Sequence, residues 1–403
     1  MKSTSITQTQ PVTTRNALLV FGIILVSFNL RPAITAVGPL IGSIRQDLGI
    51  SNGIAGFLTT LPLLSFAVFS FLAPRLGIRY GQKMMILAGL IALLMGILVR
   101  SIGMVPTVFI GTMLVGVGIA IMNVLLPSII KTHYPEKIGL MTGTYTASMN
   151  VFAALGSGIS IPLAVHLGLG WEKSLLFWAF VSVLAMVVWG PQIRKSSEQK
   201  RNYQPKLDLS EPSIWRSAIA WQVTVFMGLQ SFLFYCTIAW LPEILNGSGL
   251  DISTAGWMVS IMQLAGIPMA FFTPILADRF RNQKVIVILI GIVYFTGVAI
   301  LFVDGGNFVF VTLSVLLIGL GQGASISLSL VLLSLRASSS EQAAQLSGMA
   351  QSVGYLLAAI GPTLVGGLFD WTHSWTIPLL LFMAIVIIMV GVGLGAGRDR
   401  SLY

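Results

Sequence analysis

Long apolar tracts separated by short polar segments run along nearly the whole chain. Each tract is long enough to cross a membrane, which takes about 20 residues of α-helix. Apolar runs of this length favour helices over the alternating segments of about ten residues that are typical of a membrane β-barrel. The pattern predicts an all-α membrane protein with twelve transmembrane helices, whose tracts begin near Ala17, Gly53, Met84, Val105, Ile138, Leu175, Ile214, Ala255, Val285, Phe308, Ala343 and Trp375.

One long hydrophilic stretch interrupts this pattern, between Pro191 and Ser213. Because it separates six predicted spans from six others, it marks a boundary between two bundles. The predicted organisation is a cytoplasmic N-terminal tail over 1–16, a six-helix bundle over 17–190, a cytoplasmic linker over 191–213, a second six-helix bundle over 214–396 and a cytoplasmic C-terminal tail over 397–403.

The two halves resemble each other at an offset of roughly 200 to 205 residues, the signature of an internal duplication. PRLGIRYGQK begins at Pro74 after the second span, and PILADRFRNQK begins at Pro274 after the eighth. Thr142-Gly143 in the fifth span likewise matches Ser347-Gly348 in the eleventh. Two parallel six-helix repeats are expected to form a substrate pathway at their interface, with the binding site near the middle of the membrane.

Composition and charge agree with a membrane protein. Hydrophobic residues make up 55% of the chain and charged residues 9%, too few polar side chains to cover a soluble globule of this size. The net charge of +10 does not indicate nucleic-acid binding, because the basic residues are divided among short segments. If the N-terminus is cytoplasmic, Arg31 lies within the membrane, Arg45, Arg100 and Lys173 lie outside, and the other 19 of the 23 Lys and Arg residues lie inside. This asymmetry predicts that both termini are cytoplasmic.

Arg31 is the one charge that falls near the middle of an apolar tract, which runs from about Ala17 to Leu40. A guanidinium at that depth costs about 2.5 to 3.5 kcal/mol on insertion scales, so it usually faces an aqueous cavity or a counter-charge. No carboxylate lies at comparable depth in the sequence. We therefore predict that Arg31 contacts a substrate that is negative or electron-rich; the alternative is a purely structural role.

The neighbours of Arg31 extend this predicted site. Side chains four residues apart share a helix face, so Thr35 lies on one polar stripe with Arg31. Pro32 removes a helix hydrogen bond and biases Arg31 away from helical dihedral angles, which predicts a kink or loosening here. Asn29 lies about 200 degrees around an ideal helix from Arg31, so it either reaches the ligand through that kink or joins two helices.

Other spans also carry polar side chains at central depth. Asn123 in the fourth span shares a stripe with small residues, which suits substrate contact and close helix packing equally. Uncharged donors and aromatic edges around one arginine suit a small anion or a polar aromatic molecule. The remaining predicted substrate-binding residues, which individually are more often used to join helices, are Tyr145, Asn150, Gln263, Gln322, Gln351 and Tyr355.

The six-plus-six layout and the two basic loops resemble the major facilitator superfamily, whose loop pattern is G-x-L-A-D-R-x-G-R-K. The first loop departs from it, since Ile78 stands where the family has an acid. The resemblance implies alternating access, with a gating role for the loop residues that match: Arg79, Gly81 and Lys83 in the first copy and Asp278, Arg279 and Lys284 in the second.

Two spans are similar to a narrower group, the cyanate and 2-nitroimidazole transporter branch of that superfamily. They are FNLRPAITAVGPL (Phe28–Leu40) and GVGIAIMNVLLPSIIK (Gly116–Lys131). The resemblance implies a small-molecule or anion substrate, a bacterial-type inner membrane and function as a monomer.

The leading prediction is a secondary active or facilitative transporter that binds a small anion or a compact polar heterocycle near Arg31. The alternative is an efflux transporter for lipophilic drugs or metabolites. No phosphate-binding loop of an ATP-driven pump is present, and no paired acids or nucleophile–histidine set indicates an enzyme. With one cysteine and three histidines, the sequence predicts neither a metal site nor a cofactor. Proton coupling stays open, because the acids and histidines lie towards span ends.

Overall fold

The structure, a computed structural model, describes residues 14–50, 52–194, 214–303 and 307–402. Most of the predicted N-terminal tail (1–16) and of the predicted linker (191–213) therefore lies outside the described residues, as does residue 403 of the predicted C-terminal tail. The α-helices are α1 (Thr14–Ser27), α2 (Pro32–Thr35), α3 (Val37–Leu48), α4 (Asn52–Tyr80), α5 (Gln82–Arg100), α6 (Val105–His133), α7 (Ile138–Ile161), α8 (Gly170–Leu176), α9 (Trp178–Trp189), α10 (Pro191–Arg194), α11 (Ala218–Gly247), α12 (Ile252–Arg279), α13 (Lys284–Val303), α14 (Phe308–Leu335), α15 (Ser340–Thr372) and α16 (Thr376–Ala396).

Twelve helical segments within the described ranges are long and apolar enough to cross a membrane, which confirms the predicted number of spans. The first span is divided between α1 and α2, and the sixth between α8 and α9. Prolines lie inside several long helices, such as Pro62 in α4 and Pro242 in α11. Membrane helices tolerate them because neighbouring helices and hydroxyl side chains satisfy the freed carbonyl groups.

The two halves, α1–α9 and α11–α16, meet mainly where α7 packs along α12 and where α15 packs along α4. Both crossings depend on a glycine. A methyl group on Gly143 of α7 would lie 2.4 Å from the backbone oxygen of Phe271, and one on Gly348 of α15 would lie 2.7 Å from that of Ser70. Small residues allow such close backbone approach between membrane helices. Since Gly143 and Gly348 correspond in the sequence repeat, the duplication extends to the packing.

Contacts between helix termini distinguish the two ends of the bundle. We call the end at which α1 begins and α16 ends the terminal end. There the side chain of Gln192 donates to the carbonyl of Leu18 at 3.2 Å, and the N–H of Leu402 donates to the carbonyl of Arg336 at 2.9 Å. The other end, where α3 ends and α12 begins, is called the opposite end below.

Polarity is distributed as expected for a bundle in lipid. Large apolar side chains on the outside are exposed, including Val68 (58%), Phe180 (67%) and Ile292 (57%). Buried polar side chains such as Gln322 and Gln351 lie instead on helices that meet between the halves. Because polar groups within a membrane protein usually face the bundle interior, this interface is where a binding site is expected.

Candidate substrate-binding site

Arg31 lies at a break in the first span. Helix α1 ends at Ser27 and α2 begins at Pro32. Between them the N–H of Asn29 bonds only three residues back, to the carbonyl of Val26 at 3.0 Å. Arg31 has φ −129° and ψ −39°, outside the usual α-helical region. The loosening predicted from Pro32 is confirmed, and it frees the arginine from the regular helix.

A cavity of about 470 Å³ lies between the two halves next to this break. Its volume falls in the range of small-molecule sites, which is roughly 300 to 1,000 Å³. It extends from Arg31 towards the opposite end, where Pro39, Pro242 and Val259 line it. The structure brings the following predicted residues together around it: Arg31, Thr35, Asn123, Gln263, Gln351 and Tyr355.

A second, much smaller pocket lies beside Arg31, where α12 crosses α14. Its volume is about 20 Å³, enough for about one water-sized group. Arg31 and Gln263 line both pockets, and the predicted residues Asn150 and Gln322 line the small one. Because it is lined by a cation and side-chain amides, this pocket suits a single acceptor atom of a ligand.

The guanidinium of Arg31 is half-buried and lies over the ring of Phe234, with 4.6 Å between its Cζ atom and the ring centroid. This is a cation–π contact between the halves. The guanidinium makes no hydrogen bond or ion pair with any residue that the structure describes. No acid among the described residues lines either pocket. Arg31 therefore presents an uncompensated positive charge to the cavity.

Three amide side chains in the two pockets are also unpaired. Asn123, Asn150 and Gln263 make no side-chain hydrogen bond to the described part of the protein. Because a side-chain amide has both hydrogen-bond donors and an acceptor, a ligand beside Arg31 can accept hydrogen bonds from these amides and donate to them. No group of three or more His, Cys, Asp or Glu side chains that could hold a metal ion occurs among the described residues.

Aromatic rings form one wall of the cavity. The rings of Phe66 and Tyr355 lie 4.9 Å apart between centroids, and Tyr235 meets Tyr355 edge-on at 6.4 Å. Sequence reasoning identified Tyr355 but missed Phe66, Phe234 and Tyr235. For Phe234 and Tyr235 the signal was an aromatic cluster in the seventh span, but a linear sequence does not separate cavity-facing rings from lipid-facing ones.

Gln351 and Gln322 line the pockets but also bind protein groups. The Nε2 atom of Gln351 donates to the backbone carbonyl of Asn123 at 3.1 Å, which ties α15 of the second half to α6 of the first. The Nε2 atom of Gln322 donates to the hydroxyl of Tyr294 at 3.0 Å. Both side chains are thus held in place next to the ligand space.

Two predicted ligands do not reach the cavity. Asn29 donates through Nδ2 to the carbonyl of Leu25 at 2.8 Å, and its Oδ1 accepts from the hydroxyl of Ser182 at 2.7 Å. It joins the first span to the sixth, because the break does not turn it to the same side as Arg31. Tyr145 is 1% exposed, buried in the packing around α7, and lines neither pocket. The structure therefore does not bring these two predicted side chains to the pockets, and for Asn29 it shows the helix-joining alternative.

Between the cavity and the terminal end, side chains bridge the two halves. The Oδ2 atom of Asp278 accepts the N–H of Gly139 at 2.9 Å, in the first turn of α7. A carboxylate is favourable there because the first N–H groups of a helix lack intrahelical acceptors. Deeper in the bundle, the hydroxyl of Thr146 donates to the carbonyl of Ala270 at 2.7 Å. These hydrogen bonds therefore join the two halves on the terminal-end side of the cavity.

The first basic loop makes its bridge without an acid. Ile78 cannot accept a hydrogen bond, but Gln82 donates to the hydroxyl of Ser128 at 2.5 Å, and that hydroxyl donates to the carbonyl of Ser340 at 2.6 Å. The remaining predicted loop residues lie at the same end: Arg79 in the last turn of α4, Gly81 with φ +93° between α4 and α5, Lys83 in the first turn of α5, Arg279 at the end of α12 and Lys284 at the start of α13.

Comparison with known proteins places the chain among transporters. A sequence profile of the Major Facilitator Superfamily matches residues 19–362. The chain is 54% identical to the uncharacterized transporter YycB of Bacillus subtilis, over 96% of this chain and 94% of that one. It is 39% identical to the 2-nitroimidazole transporter of Escherichia coli, over 90% and 91%, and 26% identical to the cyanate transport protein CynX of the same organism, over 66% and 68%.

A solved structure shares the fold. The superfamily's proton:xylose symporter XylE aligns with a TM-score of 0.76 over 96% of this chain and 98% of its own, at 13% sequence identity. At that identity the likeness concerns the architecture alone.

Proposed function

Because the chain belongs to the major facilitator superfamily, in its cyanate and 2-nitroimidazole transporter branch, we propose that it carries a small anion or a compact polar heterocycle bound at Arg31. It is a multi-pass membrane transporter and not an enzyme. The observation that carries the proposal is the unpaired guanidinium of Arg31 in the cavity between the halves.

The surroundings of Arg31 define the ligand chemistry. A cation without a counter-charge favours a negative group or a polarised oxygen or nitrogen atom. This ligand atom enters the small pocket beside Arg31 and contacts the side-chain amides of Asn150 and Gln263 there. The aromatic wall of Tyr235 and Tyr355 then faces the flat body of the ligand. Such a ligand is compact and either linear, as cyanate is, or planar, as a nitroimidazole is.

Transport proceeds by alternating access of this site to the two membrane faces. Three features support this: the cavity lies between the halves, the halves are bridged towards the terminal end, and the cavity extends towards the opposite end. With the termini in the cytoplasm, as the charge distribution predicts, this conformation faces outwards. Rocking of the halves about the α7–α12 and α4–α15 crossings then exposes the site to the cytoplasm.

Substitution of Arg31 tests the proposal. Binding of cyanate, nitrite, acetate and 2-nitroimidazole to purified protein is measured by thermal shift, followed by uptake of each ligand that binds into proteoliposomes. Arg31→Gln is expected to weaken binding by about 10- to 100-fold, because a hydrogen bond to a charged group contributes about 1.5 to 3 kcal/mol.

Arg75→Gln is the matched control, since its Cζ atom lies 4.8 Å from the centroid of the Phe71 ring but outside both pockets. It should bind as the unmodified protein does. Equal binding by Arg31→Gln and the unmodified protein contradicts the proposal. The efflux alternative is favoured if Arg31→Gln still exports a neutral lipophilic dye and neither protein binds an anion. The structural basis for this alternative is that much of the cavity lining is apolar, including Ile34, Ile238 and Leu330.

A further inference from the structure

Arg100, the last residue of α5, is deeply buried. The sequence pattern predicts that it lies at the outer end of the third span, where a charge is unremarkable. In the structure it is 1% exposed, more deeply buried than Arg31. Its Nη1 atom donates to the backbone carbonyl of Ala33 at 2.5 Å, across 67 residues of sequence.

Arg336 shows what a buried structural arginine looks like in this protein. It is 4% exposed, its Nε atom donates to the carbonyl of Ala396 at 2.9 Å, and its Nη2 atom donates to the side-chain oxygen of Gln283. The Nε and Nη2 atoms of Arg100, in contrast, make no hydrogen bond to the described part of the chain. Burial of a cation with two unpaired donors costs free energy. Because stability alone does not explain this burial, we expect a function for the single hydrogen bond to Ala33.

The acceptor of that bond lies in the turn that follows Arg31. Ala33 belongs to α2, which is a single helical turn. The carbonyl of Arg31 accepts the N–H groups of Ile34 and Thr35 at 2.9 and 3.0 Å. The turn is therefore hydrogen-bonded directly to Arg31, and its position sets the direction in which the guanidinium leaves the backbone.

The same turn is also held by α7. The hydroxyl of Thr35 donates to the carbonyl of Ala153 at 2.9 Å. Gly156 leaves room for the turn, since a methyl group there would lie 2.9 Å from the Cα atom of Pro32. Helix α2 is thus hydrogen-bonded both to α7 and to the guanidinium of Arg100, although regular helix hydrogen bonds are interrupted just before it.

We propose that Arg100 is a positioning residue for substrate binding: by holding Ala33 it fixes the turn after the break and aims Arg31 at Phe234 and the small pocket. The proposal rests on the function proposed above. A hydrogen bond from a cation in a low-dielectric interior is stronger than a neutral one, which suits a turn that has few bonds of its own. Arg100 lines neither pocket, so it acts through Arg31.

A double-mutant cycle tests this role, with 2-nitroimidazole as the probe. Gly38 lines the cavity, and a side-chain carbon added there would have no other atom within 4 Å. Gly38→Cys therefore reports ligand binding as protection from a maleimide. Arg100→Met is expected to raise the half-protecting concentration by about tenfold. In the Arg31→Gln background the same substitution should cause no further increase, because the two residues act in series.

Three further variants separate positioning from general stability. Arg100→Lys keeps a buried donor and should recover part of the affinity. Lys173→Met, which replaces an exposed cation near the same end, should change neither binding nor labelling. Arg100→Met alone should also alter the ligand-free labelling rate at Gly38→Cys, because the turn beside it is released.

The outcomes are distinct. Unchanged binding in Arg100→Met, or an equal loss in both backgrounds, overturns the positioning role. If Arg31→Gln itself leaves binding unchanged, the proposed function fails, and the ligand-free labelling rate still decides whether Arg100 holds the turn. If Arg100→Met does not fold, Arg100→Lys in the two backgrounds gives the same test.

Discussion

The carboxylate of Asp278 accepts the backbone N–H of Gly139 at 2.9 Å, and this bond joins the end of α12 in the second half to the first turn of α7 in the first. The sequence copy of Asp278 in the first half is Ile78, and there a glutamine–serine relay makes the bridge instead. The two bridges between the halves at the terminal end thus use different chemistry.

Asp278→Ala is expected to shift the protein away from this conformation by about 1 kcal/mol, the usual net value of one hydrogen bond. Spin labels at Lys137→Cys and Arg281→Cys, two exposed positions near the bond, report the separation of the halves by double electron–electron resonance. The short-distance population should fall. Asp278→Asn keeps an acceptor oxygen, so it should lower the short-distance population less than Asp278→Ala does. An unchanged distance distribution in Asp278→Ala contradicts the gating role.

Gly143→Ala is expected to open the terminal end more strongly, because the added methyl group would meet the backbone oxygen of Phe271 at 2.4 Å. Gly158→Ala on the same helix is the matched control, since no atom lies within 4 Å of its added carbon. The same spin-label pair measures both variants. Similar behaviour of the two would show that the close crossing at α7 and α12 does not set the conformation.

Asn123→Leu and Asn29→Leu should separate ligand binding from helix packing. Asn123 has an unpaired amide in the cavity, so its replacement should weaken binding of 2-nitroimidazole by about tenfold with little change in melting temperature. Asn29 is buried and hydrogen-bonded to Leu25 and Ser182, so its replacement should lower the melting temperature and leave affinity unchanged. Thermal melts with and without ligand distinguish these results, and the reverse pattern would refute the site assignment.

Uptake should not require a proton gradient. Among the described residues, no acid and no histidine lines either pocket. Proteoliposome uptake of nitrite is expected to be the same with and without a protonophore between about pH 6.5 and 8. Uptake that collapses when the gradient is dissipated would mean that a proton-carrying group elsewhere takes part.

The sequence predicted the architecture well because lipid imposes a simple rule. Every span must satisfy its backbone internally and present apolar side chains, so the twelve tracts are visible one by one. The same rule makes Arg31 conspicuous, and Pro32 predicts the break beside it. Local chemistry along the chain sufficed for these features.

The tertiary structure alone decided which polar side chains share the cavity. Asn29 and Asn123 have similar polarity and depth in the sequence, yet one joins helices and the other faces the ligand space, because their directions depend on how each helix is rotated in the bundle. Arg100 resembles an exposed charge at a span end in the sequence, but in the fold it is buried against α2. A hydropathy pattern records how far along a helix a residue lies, whereas burial and contact depend on the neighbours that packing brings from distant parts of the chain.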